Sequence, residues 1–85
     1  MDRSDVFELL AETINLSQRL SGETDKQVCL RQIQQRLTSS EIRQACVAYR
    51  IKSRGEKKIL NLIDKVLKFD SAGRLLSQAD VVTKF

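Results

Sequence analysis

The stretch Tyr49–Lys58, YRIKSRGEKK, sets five basic side chains and one acid in ten positions, the densest run of charge in the chain. Lys and Arg in such a run neutralise phosphates and release counterions, which gives affinity for nucleic acid without regard to sequence. Arg43, Arg50 and Arg54 recur at spacings of seven and four, so one face presents all three if a single helix carries them. Arg is also the side chain that reads guanine with two hydrogen bonds. Lys58, Asn61, Lys65 and Lys68 follow at spacings of three, four and three, with Asp64 the only acid on that side. Ser53 and the first N–H groups of a helix beginning near it suit an anion. The candidate nucleic-acid-binding residues are therefore Arg43, Arg50, Lys52, Arg54, Lys57, Lys58, Lys65 and Lys68. The plainer reading of the same residues is a solvated, Lys-rich helix exterior.

Other chemistries are poorly served. The chain has no His, which removes His-based zinc sites, a His general base and the Ser-His-Asp and Cys-His hydrolases. Glu8 and Glu12 lie one helical turn apart, but in a solvated acidic first turn that favours the helix dipole. Gly22, Gly55 and Gly73 are isolated and form no phosphate-cradling loop. Cys29 and Cys46 have neither CxxC spacing nor a His partner, and both sit inside helical patterns. They read as small buried thiols of a reducing compartment. No catalytic residue, metal ligand or cofactor is expected, and the chain reads as non-enzymatic.

Charge is divided along the chain. Residues 1–42 carry five basic and seven acidic side chains; residues 43–85 carry ten basic and four acidic. The first half is thus net −2 and the second net +6, an asymmetry that points towards an anionic partner. No apolar run reaches the roughly 18 residues that span a bilayer, and the acidic, amphipathic start does not read as a secretory signal. The expected location is the cytoplasm, and no membrane partner is expected.

The elements that must position these residues read as helices. At 85 residues, one domain is the limit, with residues 70–85 a loosely packed tail. The first helical segment runs from Ser4 to Leu20, with Val6, Leu10, Ile14 and Leu20 near one stripe and Ser21-Gly22 as its stop. The second opens on a capping box, Thr24 with Gln27, and buries Leu30, Ile33 and Leu37 with Cys29 beside them. Arg31, Gln32, Gln34, Gln35 and Arg36 form its outer face. Thr38 with Glu41 is a second capping box and starts a third helix, whose stripe is Ile42, Ala45, Cys46 and Tyr49. Ser53 with Glu56 reads as a third box. It opens a fourth and central helix with Ile59, Leu62, Ile63 and Val66 inside, unless the helices on either side of Gly55 are continuous. Asp70-Ser71-Ala72-Gly73 is a turn signal, and Val81–Phe85 is strand-favouring locally. The fold class is all-α, a small bundle of four short helices with a short C-terminal tail.

Two functions from different classes follow. The first is a small regulatory protein that binds nucleic acid, DNA ahead of RNA, through a basic face on the third and fourth helices. It would act in transcription as a homodimer, the last two helices forming a helix–turn–helix variant. The alternative is a helical adaptor that dimerises or binds an acidic protein through Phe7, Leu10, Ile14, Leu60 and Leu67.

Overall fold

Helix ends in this chain are written in side chains that satisfy otherwise unpaired backbone groups. In the computed structural model, which describes residues 1–76, Asp2 caps the first helix, α1 (Arg3–Thr13), through a reciprocal box with Asp5. Thr24 and Gln27 form the expected box at the start of α2 (Asp25–Arg36). Thr38 and Glu41 do the same for α3 (Ser39–Ala48). The fourth helix, α4 (Glu56–Val66), begins at Gly55, and no side chain caps it. The expected box of Ser53 with Glu56 is therefore not formed. Ser53 Oγ instead accepts a hydrogen bond from the Asn61 amide at 2.5 Å.

The first segment departs most from its pattern. It does not run to Leu20: α1 stops at Thr13, Ile14 is extended, and a single 3-10 turn covers Leu16–Gln18. The reason lies in α2. Gln32 is fully buried, and its amide accepts from Asn15 N–H at 2.7 Å and donates to Asn15 C=O at 2.9 Å. One turn on, Arg36 donates to Thr13 C=O at 2.8 Å. These bonds give the chain after α1 a better partner than another helical turn. Gln32 thus faces inward, contrary to the expected outer face. Leu20 leaves the stripe and stands 55% exposed. Gly22, at φ +83, serves a turn closed by Glu23 N–H onto Leu20 C=O rather than a helix end.

Four helices therefore form among the described residues, as expected. They enclose one core containing Val6, Leu10, Ile14, Ile33, Leu62, Ile63 and Leu67. α1 packs on α2 and α3, and α4 packs on the same two helices. α2 also holds the 3-10 turn, so α2 rather than α4 is the hub. Cys29 and Cys46 are both free and buried. Burial, with Asp25 nearby, pushes the Cys29 thiol up to about 12; burial also raises Cys46, against the opposing charge of Lys58.

After α4 the chain turns back on itself at the expected Asp70–Gly73 signal. Phe69 and Leu75 pair as an isolated antiparallel bridge, and the Asp70 carboxylate accepts from Ala72 and Arg74 N–H. This turn closes the start of α2. Gly73 C=O accepts from Lys26 N–H at 2.9 Å, and the buried Asp25 takes Leu75 N–H at 2.8 Å and the Arg19 guanidinium at 2.5 Å. Gly73 has φ +79, a left-handed backbone that strains any other residue, and a Cβ there would also crowd Thr24 Oγ1 at 3.0 Å. Residues 70–76 are thus docked rather than loose, and the strand-favouring Val81–Phe85 lies outside the described residues. No described helix is long and apolar enough to cross a membrane.

Candidate nucleic-acid interface

The basic residues of the two halves have different surroundings. Each of the five in residues 1–42 has a partner within the molecule. Arg19 pairs with Asp25, Lys26 with Asp64, and Arg31 with Glu23. Arg36 bonds Thr13 C=O and the Gln18 side chain. Arg3 donates to Ala48 C=O at 3.3 Å and lies over the Tyr49 ring at 5.0 Å. The Arg31 hydrogen bonds hold the Glu23 carboxyl below its ordinary range.

The eight candidates behave otherwise. Arg43, Arg50, Lys52, Arg54, Lys57, Lys65 and Lys68 are exposed and Lys58 is half-buried. Among the described residues, none of the eight side chains makes an ion pair or a hydrogen bond. A charge with no internal partner retains its full attraction for an external one.

The geometry that gathers them is not the one the spacing implies. Arg43, Arg50 and Arg54 do not form a helical row, because α3 ends at Ala48. The chain leaves α3 through a Schellman-type closure: Ile51 N–H bonds Cys46 C=O at 2.9 Å and Arg50 N–H bonds Val47 C=O at 3.1 Å. That closure needs a left-handed residue, usually Gly, and here it is Arg50 at φ +56. A side chain at such a position costs about 1 kcal/mol relative to glycine. The connection to α4, through Ser53 to Gly55, is longer than the three- or four-residue turn of a helix–turn–helix.

The structure brings Arg50, Lys52 and Lys65 together instead. They line one cleft of about 490 Å³ with Ile51, Ser53, Asn61 and Asp64. The two walls are the connector after α3 and the polar face of α4, and the Ser53–Asn61 hydrogen bond ties one to the other. Among the described residues, Asp64 is the only acid in the lining, and Lys26 of α2 pairs with it at 2.7 Å. Lys57 and Lys58 lie on the first turn of α4, on the same polar side as Asn61 and Lys65 by helical spacing. Arg43, Arg54 and Lys68 are exposed but do not line the cleft.

The sequence pattern singled out Ser53, Asn61 and Asp64, but not Ile51, and gave Lys26 no role here. Lys26 lies in another helix, and no local spacing signals its pairing with Asp64. Of the proposed interface residues, Leu10, Ile14 and Leu67 belong to the core, where α1 and the end of α4 bury them; Phe7 and Leu60 are partly covered. A protein partner therefore cannot use Leu10, Ile14 or Leu67 as surface anchors in this fold.

Comparison with protein-family models, with curated proteins and with solved structures gives no match to this chain.

Proposed function

We propose that this chain is a non-enzymatic regulatory protein that binds nucleic acid through the basic surface of the α3–α4 connector and α4. The single observation that carries the reading is the set of eight cations with no partner among the described residues, in a chain whose first half pairs all of its own. Phosphate neutralisation is the chemistry such a set supports best.

Duplex DNA is favoured over single strands. Stacking platforms for splayed bases need exposed aromatic rings. Among the described residues, Phe7, Tyr49 and Phe69 are all partly buried against the core, and Tyr49 lies beneath Arg3. A role in transcription and a homodimer that doubles the basic surface belong to the same proposal.

The test is charge reversal at Arg50 and Arg54, Arg50→Glu with Arg54→Glu. Affinity for a labelled duplex is expected to fall by about 100-fold or more, with the helical circular dichroism unchanged. Unchanged affinity in a folded double variant sinks the reading. Salt-sensitive capture of an acidic polypeptide, with no duplex binding, would move the assignment to the protein-partner class.

A further inference from the structure

The geometry points to a discrete phosphate seat within that basic surface: the cleft between the Arg50–Ser53 connector and α4 takes one phosphodiester group of a nucleic-acid backbone. Arg50, Lys52 and Lys65 are its charged contacts. The inference rests on the nucleic-acid reading above and narrows it to a place.

Three features separate this cleft from the rest of the basic surface. First, its concavity is built. Ile51 packs against the core, the two hydrogen bonds closing α3 fix the backbone at Arg50 and Ile51, and Asn61 bonds Ser53 across the gap. The spacing between the walls is therefore set by the fold and not by a free loop. Second, its charge is kept positive. The one carboxylate in the lining, Asp64, is already paired with Lys26, whereas the three cations have no partner among the described residues. Lys26 does not line the cleft, and its effect is to offset part of the charge of the one described carboxylate there that would repel a phosphate. Third, a strained residue is used. Glycine would serve the α3 closure at lower cost, yet Arg50 occupies the left-handed position at the edge of the cleft.

The ligand class follows from the lining. Among the described residues, no aromatic ring lines it on which a base could stack, and the apolar contribution is Ile51. The polar groups are cations and amide or hydroxyl groups, the set that meets phosphate oxygens. A volume near 490 Å³ lies within the range of small-ligand sites and admits a nucleotide-sized length of backbone.

The experiment compares two double variants of equal charge. Lys52→Gln with Lys65→Gln removes two cations from the cleft. Arg43→Gln with Lys68→Gln removes two exposed cations outside it. Affinity for a labelled 20-base-pair duplex is measured by fluorescence anisotropy over a range of salt. The cleft pair is expected to lose about 10-fold or more and to flatten the log–log salt slope by about 2, near 0.9 for each lost contact. The outer pair is expected to lose under about 3-fold. Equal losses in the two pairs overturn the seat and leave a diffuse surface. A wild-type chain that binds no duplex overturns the nucleic-acid reading instead. In that case inorganic phosphate is titrated into the unaltered chain and followed by amide NMR. Shifts confined to residues 50–53 and 61–65 would retain a phosphate seat for free phosphate. Shifts that are absent or scattered would remove it altogether.

Discussion

Residues 13–37 and residues 49–68 are equally polar to the eye, yet the fold treats them in opposite ways. In the first region long polar side chains close the structure. Gln32, Arg36, Arg31 and Arg19 each bond backbone or carboxylate groups of the same molecule. In the second region Arg50, Lys52, Arg54, Lys57, Lys65 and Lys68 are exposed and bond nothing among the described residues. The lesson is that basic composition alone says little about function. What distinguishes a structural cation from an available one is whether the chain itself supplies its anion.

The comparison breaks most easily at Gln32. Replacing it with alanine leaves Asn15 N–H without a partner, leaves Asn15 C=O with only the Gln18 N–H bond, and opens a cavity between α1 and α2. A loss of about 3 kcal/mol is expected in urea denaturation, from the orphaned Asn15 N–H and the cavity together. A loss below about 1 kcal/mol would show that the 13–18 segment does not depend on the clamp. By contrast, Lys57→Gln in the second region should change stability by less than about 0.5 kcal/mol, as expected for an exposed residue with no partner among the described residues.

Alkaline pH tests the interior of the hub helix. The Cys29 thiol is pushed up to about 12 by burial, whereas in the unfolded chain it titrates near its ordinary value of 9.0. Between those values the unfolded chain releases the proton and the folded chain keeps it. The Cys29 contribution is therefore complete below about pH 9 and is lost as pH rises towards 12, with a slope of up to about 1.4 kcal/mol per pH unit. Cys29→Ala should flatten this part of the stability profile relative to the parent. An unchanged profile would mean that the thiol is open to solvent. Thiol-specific reagents at pH 8 should correspondingly leave Cys29 unmodified until the chain unfolds.

A smaller effect sharpens the second region. Arg50→Gly relieves the left-handed backbone at φ +56 and should stabilise the fold by about 1 kcal/mol. The same change should weaken duplex affinity by several-fold, so stability and binding move in opposite directions. Parallel gains in both would contradict a functional reason for Arg at this position. Lys26→Met should also weaken binding, by about 2-fold to 5-fold, because it leaves Asp64 uncompensated in the cleft. Adding Asp64→Asn should restore it. Failure of that rescue would separate the ion pair from the binding surface.

These contrasts also mark what the residues themselves disclosed. The boxes at Thr24 and Thr38 were legible because capping is local, decided within four residues. The core face of α4 was legible at Ile59, Leu62 and Ile63, which keep one helical stripe, but the stripe ends on the buried Leu67 and not on Val66, which is only partly buried. The end of α1 was not legible, because it is set by Gln32 and Arg36 from a helix far along the chain. The same holds at the candidate site. The cations were evident as a run, but their gathering depends on a left-handed arginine and on the Asn61–Ser53 tie. The arginine row failed for a local reason: Arg50 takes the place of a helix-stopping glycine, so the stop carries no glycine to announce it.

The central claim is that the cations of residues 43–76 that have no partner among the described residues are available to phosphate. The most direct measurement is the affinity of the purified chain for a generic labelled duplex as salt is raised from low to physiological concentration. About five phosphate contacts predict a log–log slope of roughly −4 to −5. Absence of binding at low salt, or binding whose strength does not change with salt, would contradict the claim and leave the basic half a solvated surface.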